Sequence, residues 1–235
     1  MNVLSKNVVA HMQAAYQRFY DHPIVSRAII NQFTRLYYQT PTPVRTWHDT
    51  RWLGIPVMKT PFDLWNYQEI LATLRPGVLI ETGTAKGGSA LFFASLFDLL
   101  GMGRVVTIDI EPDSERPHHD RITYLLGSST APETVEGVEK EIRNCGNVMV
   151  VLDSGHSMQN VLNELQIYSR YVSLGSYLIV EDTCVNGHPV SPRYGPGPME
   201  AVKAFLRMND SFVSDGRDRK FLMTFNPGGY LRRVK

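Results

Sequence analysis

Cysteine is scarce in this sequence. Its 235 residues hold two, Cys145 and Cys184, with neither metal-site nor redox spacing. That excludes a disulfide framework and makes a reducing compartment, the cytoplasm, the expected setting. No apolar run approaches the roughly 18–20 residues of a membrane span. The first residues, MNVLSKNVVAHMQ, do not read as a secretory signal, because His11 and Gln13 interrupt any apolar stretch. Charge of one sign is lacking too. Lys and Arg number 24 against 23 Asp and Glu, scattered along the chain, so no basic face for nucleic acid is expected. The one glycine-rich loop, ETGTAKGGS (81–89), has neither the G-x-G-x-x-G order of dinucleotide sites nor the P-loop order, so Lys86 is not a phosphate lysine.

What is present is enough apolar residue, 43% of the chain, for a substantial core. Val8, Val9, Met12, Ala15, Tyr16 and Phe19 fall at helical spacing, as do Ile24, Ala28, Ile29, Phe33, Leu36 and Tyr37. Asp21 is a candidate cap for the second helix, with Pro23 in its first turn. Residues 40–63 are proline- and glycine-rich and read as loop, and Leu64 to Leu74 as a short helix.

From Val78 onward strands alternate with helices. The strands are VLIET, RVVTIDI, RITYLLG, NVMVVLD and SYLIVED. This alternation predicts an α/β fold with a doubly wound, mostly parallel sheet. Near the end, KFLMTF and GGYLRR flank Asn226-Pro227-Gly228 and read as a hairpin. A parallel sheet finished by an antiparallel hairpin resembles the seven-stranded class I S-adenosylmethionine (SAM)-dependent methyltransferases.

In such a fold the loop 81–89 would hold SAM. Gly83 and Gly88 let backbone approach a ligand, and the following helix N-terminus favours its carboxylate. Glu81 can accept from the SAM ammonium, directly or through water. Asp109, at the end of the second strand, suits the two ribose hydroxyls. Thr84 and Ser89 in the loop, with Ser129 and Asp153 beyond later strands, complete the candidate cofactor set.

SYLIVEDT (176–183) runs an apolar strand into two adjacent carboxylates, Glu181 and Asp182. If its neighbour is the strand that ends at Asp153, three carboxylates converge. A hard divalent cation relieves their repulsion, and an all-oxygen set suits Mg²⁺ or Mn²⁺. The alternative is that Glu181 or Asp182 caps a helix or pairs with Arg193 or Arg219.

The residues WLGIPVMKTPFD (52–63), ETGTAKGGS (81–89), LDSGHS (152–157), GSYLIVEDT (175–183) and GGYLRR (228–233) resemble the cephalosporin-hydroxylase and rhamnosyl O-methyltransferase family from about Trp47 to the end. The expected division is a helical extension, residues 1–46, before a methyltransferase domain, 47–235. One departure is visible: Gly127-Ser128-Ser129 stands where the family often has Gly-Asp-Ser, which leaves Ser129 as the candidate adenine contact. The resemblance implies SAM and Mg²⁺ or Mn²⁺ as cofactors and a sugar hydroxyl on a glycolipid, polysaccharide or glycosylated natural product as acceptor. A homo-oligomer is also expected. The resemblance further implies that Met58, Lys59 and Asp63 cover the cofactor or substrate entrance.

His156 is the candidate general base, three residues after Asp153 and near a helix N-terminus that would keep it neutral. The alternative is a structural histidine that orients Asp153. His188, with Arg193 and Tyr194, lies in TCVNGHPVSPRYGPGP (183–198), which reads as a substrate lid or as plain surface loop. Two other classes stay open, a non-haem iron hydroxylase and a non-catalytic SAM-binding partner protein.

Overall fold

The computed structural model describes residues 3–40 and 46–235. Two helices come first, α1 (Val3–Asp21) and α2 (Pro23–Gln39). Asp21 does not cap α2. It ends α1 and accepts from Gln17, and His22 stands at the cap without a side-chain bond. A small hairpin, β1 (Arg51–Trp52) and β2 (Ile55–Pro56), lies within the stretch expected to be loop. Its turn residues Leu53 and Gly54 both have positive φ, 49° and 87°, the pattern of a tight two-residue hairpin.

Helix α3 (Pro61–Leu74) starts where the Thr60 side chain accepts from the Asp63 amide. It buries Asp63, Asn66, Tyr67, Ile70 and Leu71, the i, i+3, i+4, i+7, i+8 stripe of a core-facing helix. Then follow β3 (Val78–Thr82), α4 (Gly88–Leu100), β4 (Arg104–Asp109), β5 (Ile122–Leu126), α5 (Pro132–Ile142), β6 (Val148–Leu152), α6 (Met158–Tyr168), β7 (Tyr177–Val180), α7 (Pro198–Met208), β8 (Phe212–Ser214) and β9 (Tyr230–Arg233). The seven-stranded sheet runs β5-β4-β3-β6-β7-β9-β8, and β9 is antiparallel to both its neighbours. All residues of β3, β6 and β7 are buried, as a sheet covered on both faces requires.

The two faces carry separate cores. Val150, Val161, Leu165, Val202 and Phe205 belong to one, on the side of α6 and α7. Tyr67, Phe93, Phe97, Met149 and Tyr230 belong to the other, on the side of α3 and α4. Each fully buried Phe or Leu stabilises the fold by about 1.5–3 kcal/mol. Strand order reverses between β3 and β6, so their carboxyl ends open the crevice where such sheets bind ligands.

The terminal hairpin is not the one the sequence suggested. Residues 220–225 form no strand, and the partner of β9 is Phe212–Ser214. Met223 and Phe225 are apolar because they fill a third core with Cys184, Val185 and Val190, against Tyr37, Tyr38, Trp47 and Phe62. Asp63, fully buried, fastens this segment. It accepts from the Phe225 amide at 2.9 Å, from Thr224 and from the Tyr230 hydroxyl at 2.8 Å. Asp63 is thus an anchor, not part of an entrance. Among the described residues no helix is long and apolar enough to cross a membrane.

Candidate active site

Strands β6 and β7 pair in parallel with Leu152 opposite Val180, so Asp153 and Glu181 leave the sheet side by side. Regular alternation would send Asp182 to the opposite face. Instead the backbone turns at Asp182, where φ is 55° and the amide is held by Asn226 at 2.9 Å. Glu181 and Asp182 then reach two neighbouring positions at the same crevice.

Lys59 meets the first of them. Its ammonium, 3% exposed, donates to Asp153 Oδ2 at 2.6 Å and to Glu181 Oε1 at 2.9 Å. The Tyr67 hydroxyl also donates to Glu181 Oε1. His156 meets the second. Its Nε2 lies 3.3 Å from Asp153 Oδ1 and 3.3 Å from Asp182 Oδ2. Asp153 is therefore the hub, with a cation on each oxygen. The cation paired with Glu181 is Lys59, neither Arg193 nor Arg219.

These contacts set the charges. Burial pushes Glu181 up to about 7 and Asp182 up to about 6 despite the nearby cations. Burial acts the same way on Asp153, but Lys59 and His156 outweigh it and hold its carboxyl below the ordinary value. For His156, burial opposes charge, and its hydrogen bond to Asp153 with the charges of Asp182 and Asp153 overcomes it, up to about 9. Three carboxylates held this closely by a lysine and a histidine form a site short of positive charge.

Asp153, His156 and Asp182 each offer one atom within 4.8 Å of the others, a spacing that fits one metal ion. The expected carboxylate trio is thus divided. Two members stand together with His156, and Glu181 is tied to Lys59 and Tyr67 behind them. Lys59 is the member of this group whose role the sequence did not reveal.

A cavity of about 570 Å³ opens in front of the group. Gly83, Thr84, Gly88, Ser89, Asp109, Ser129 and Asp153 all line it, as do His156 and Asp182. Gly83 and Gly88 admit no side chain. A Cβ on Gly83 would lie 1.9 Å from the Asp153 carbonyl oxygen, and one on Gly88 would lie 2.0 Å from that of Pro56. Asp109 accepts from the amides of Ala85 and Glu111 at 2.8 and 3.0 Å and pairs with Arg116 at 3.3 Å. Glu81 lies one layer deeper and is fully buried. Thr107 donates to its Oε2, but Oε1 has no partner, and burial pushes its pKa up to about 7. An orphaned buried carboxylate oxygen behind a glycine cradle fits a ligand with an ammonium group. Met58 and Trp47 line the cavity as well. His188 is elsewhere, paired with Glu200 at 2.7 Å.

A family model described as Rhamnosyl O-methyltransferase/CmcI matches residues 44–234. The chain belongs to this family. The rhamnosyl O-methyltransferase of Mycobacterium leprae is 38% identical over 219 residues, covering 88% of this chain and 91% of that protein. That of Mycobacterium tuberculosis (strain H37Rv) is 37% identical, covering 88% and 86%. A CmcI structure with Mg and SAM aligns with a TM-score of 0.63 at 20% identity, over 85% of this chain and 84% of that one. At that identity the likeness speaks for the fold alone.

Proposed function

We propose that this protein transfers the methyl group of SAM to a hydroxyl of a sugar, with a divalent metal ion at the ends of β6 and β7. The observation that carries this is the placement of Asp153, His156 and Asp182 within 4.8 Å of one another, against the wall of the cavity that Gly83, Gly88 and Asp109 line. The relatives named as rhamnosyl O-methyltransferases support a sugar acceptor. The group holds a single histidine where the iron-oxygenase triad takes two, which argues against a hydroxylase.

In this reading Gly83, Thr84, Gly88 and Ser89 cradle the amino-acid arm of SAM, Glu81 supplies a charge for its ammonium, Asp109 takes the ribose, and Ser129 lies toward the adenine. Asp153 and Asp182 hold the ion, which when bound orients the acceptor and lowers the pKa of its hydroxyl. Lys59 balances the charge of Glu181 and keeps Asp153 in place. His156 is a cation while the two carboxylates face it alone. With their charge taken up by an ion it would be neutral, able to accept the acceptor's proton as a general base. Methyl transfer would need the sulfonium carbon in line with the hydroxyl, so much of the acceleration would be positioning by the cavity walls.

Labelled methyl from SAM should appear on a rhamnosyl glycoside, stop with EDTA and return with Mg²⁺ or Mn²⁺. Full turnover in rigorously chelated buffer would remove the metal from the mechanism. Transfer to no sugar hydroxyl would remove the acceptor class. SAM itself should bind without the ion, because Asp109 and the glycine loop lie on other strands. Asp109→Ala should weaken binding of S-adenosylhomocysteine by about 10–100-fold, the worth of hydrogen bonds to a charged group. Calorimetry that shows an unchanged affinity would exclude Asp109 from the cofactor site.

A further inference from the structure

The cavity of about 570 Å³ is of the size that holds one small-molecule ligand, and the cofactor cradle lines much of it. Little of the acceptor beyond its reacting sugar fits there. A second cavity of about 670 Å³ lies between α2 and the loop after β7, lined by Arg35, Gln39, Pro189, Ser191, Arg193 and Tyr194 among others. Aromatic residues link the linings of the two cavities. A Cβ built on Gly197 would lie 3.5 Å from the His156 carbonyl oxygen and 3.6 Å from the Tyr194 ring, so Tyr194 and the backbone of His156 both flank Gly197. Tyr38, next to Gln39 in sequence, stacks on Trp47 at 5.1 Å, and Trp47 lines the first cavity.

The lining of the second cavity identifies its ligand. It holds two guanidinium groups, an amide and a serine hydroxyl, with no acidic side chain and no aliphatic one other than proline. Arg35 is fixed in place by its bond from Nε to the Pro189 carbonyl at 3.1 Å, which leaves its other donors free to turn toward the groove. The donors of the cavity meet oxygen-rich groups, and its apolar surface is confined to two prolines and one tyrosine ring. The exposed ring of Tyr194 suits the apolar face of a pyranose.

We propose that the second cavity is an acceptor subsite for the glycosyl unit next to the methylated sugar, so that the protein acts on oligoglycosides. This rests on the sugar methyl-transfer reading above. The test compares kcat/KM for methyl rhamnoside, for disaccharides with rhamnose at either end, and for octyl rhamnoside. At least one disaccharide should exceed methyl rhamnoside by about tenfold or more, the gain expected from new hydrogen bonds to charged donors. Octyl rhamnoside should show no such gain. In the Arg35→Ala, Gln39→Ala double variant the ratio of disaccharide to monosaccharide should fall close to one, while S-adenosylhomocysteine affinity is retained. Equal rates for methyl rhamnoside and every disaccharide, or an advantage that survives the double variant, would overturn the subsite. A gain for the octyl glycoside alone would assign the groove to an apolar tail and overturn it too. Methylation of none of these sugars would sink the sugar reading, and this inference with it.

Discussion

Asp153→Ala is expected to lower kcat by at least ~10³-fold, because an ion supplies several kcal/mol of charge stabilisation and each ~1.4 kcal/mol is tenfold. No other side chain of the site is shared so widely. Asp153 accepts from Lys59 on Oδ2 and faces His156 on Oδ1, and it belongs to the group spaced for a metal. Its loss removes charge from the ion site and releases both cations at once. The alanine variant alone leaves open whether activity or folding failed. Asp153→Asn separates the two, since it keeps the shape and an acceptor for Lys59 but carries no charge. The asparagine variant should unfold near the wild-type denaturant midpoint, bind S-adenosylhomocysteine, bind Mn²⁺ far more weakly and turn over almost as poorly as the alanine variant. Wild-type turnover by Asp153→Asn would show that the charge of Asp153 has no part in catalysis.

The sequence made the sheet legible because each strand is a short apolar run, and the ligand end of each strand carries its polar residue directly: Thr82, Asp109, Asp153, Glu181. The glycine loop was legible for the same reason, since its function and its position in the alternation are local. Lys59 was not. Its partners lie 94 and 122 residues away, and in sequence it is one lysine in a loop between prolines. Nothing local distinguishes a lysine that will be 3% exposed from one that will be solvated. Glu181 and Asp182 looked equivalent as neighbours, yet a left-handed residue between strand and loop gives them different partners. The terminal hairpin was misread because FLMTF has the apolar content of an edge strand. Its true use, plugging a third core against Cys184 and Val185 and reaching Asp63 from residue 225, depends on contacts across 162 residues. Long-range polar pairing and tertiary plugs leave little periodic trace, whereas strands and their ends do.

Lys59→Met should turn a site that folds without an ion into one that needs it. The variant keeps the volume and the apolar stem of the side chain and removes only the buried ammonium. Glu181 and Asp153 then share the crevice with Asp182 and only His156 to balance them. Breaking a buried ion pair on one side costs about 3–5 kcal/mol. Part of that is recovered when Glu181 takes up a proton, and this fixes the pH dependence. A buried carboxyl whose folded-state pKa is raised holds a proton that the unfolded chain has already lost, so stability falls as pH rises above the ordinary carboxylate range. Glu181 is pushed up to about 7 even with Lys59 beside it. The deficit of the variant should therefore be small at about pH 5 and largest at about pH 8. A divalent ion replaces the lost charge, and a ligand that binds the folded state at 100 times its Kd adds about 2.7 kcal/mol. Urea unfolding at the two pH values, with EDTA and with excess Mg²⁺, reads all of this. The wild type binds the ion too and should gain some stability, but the variant, with one more uncompensated negative charge at the site, should gain more and regain much of its midpoint at the higher pH. If instead Lys59→Met unfolds at the wild-type midpoint in EDTA at about pH 8, where burial leaves the carboxylates most in need of a partner, then Lys59 does not balance the charge of Asp153 and Glu181.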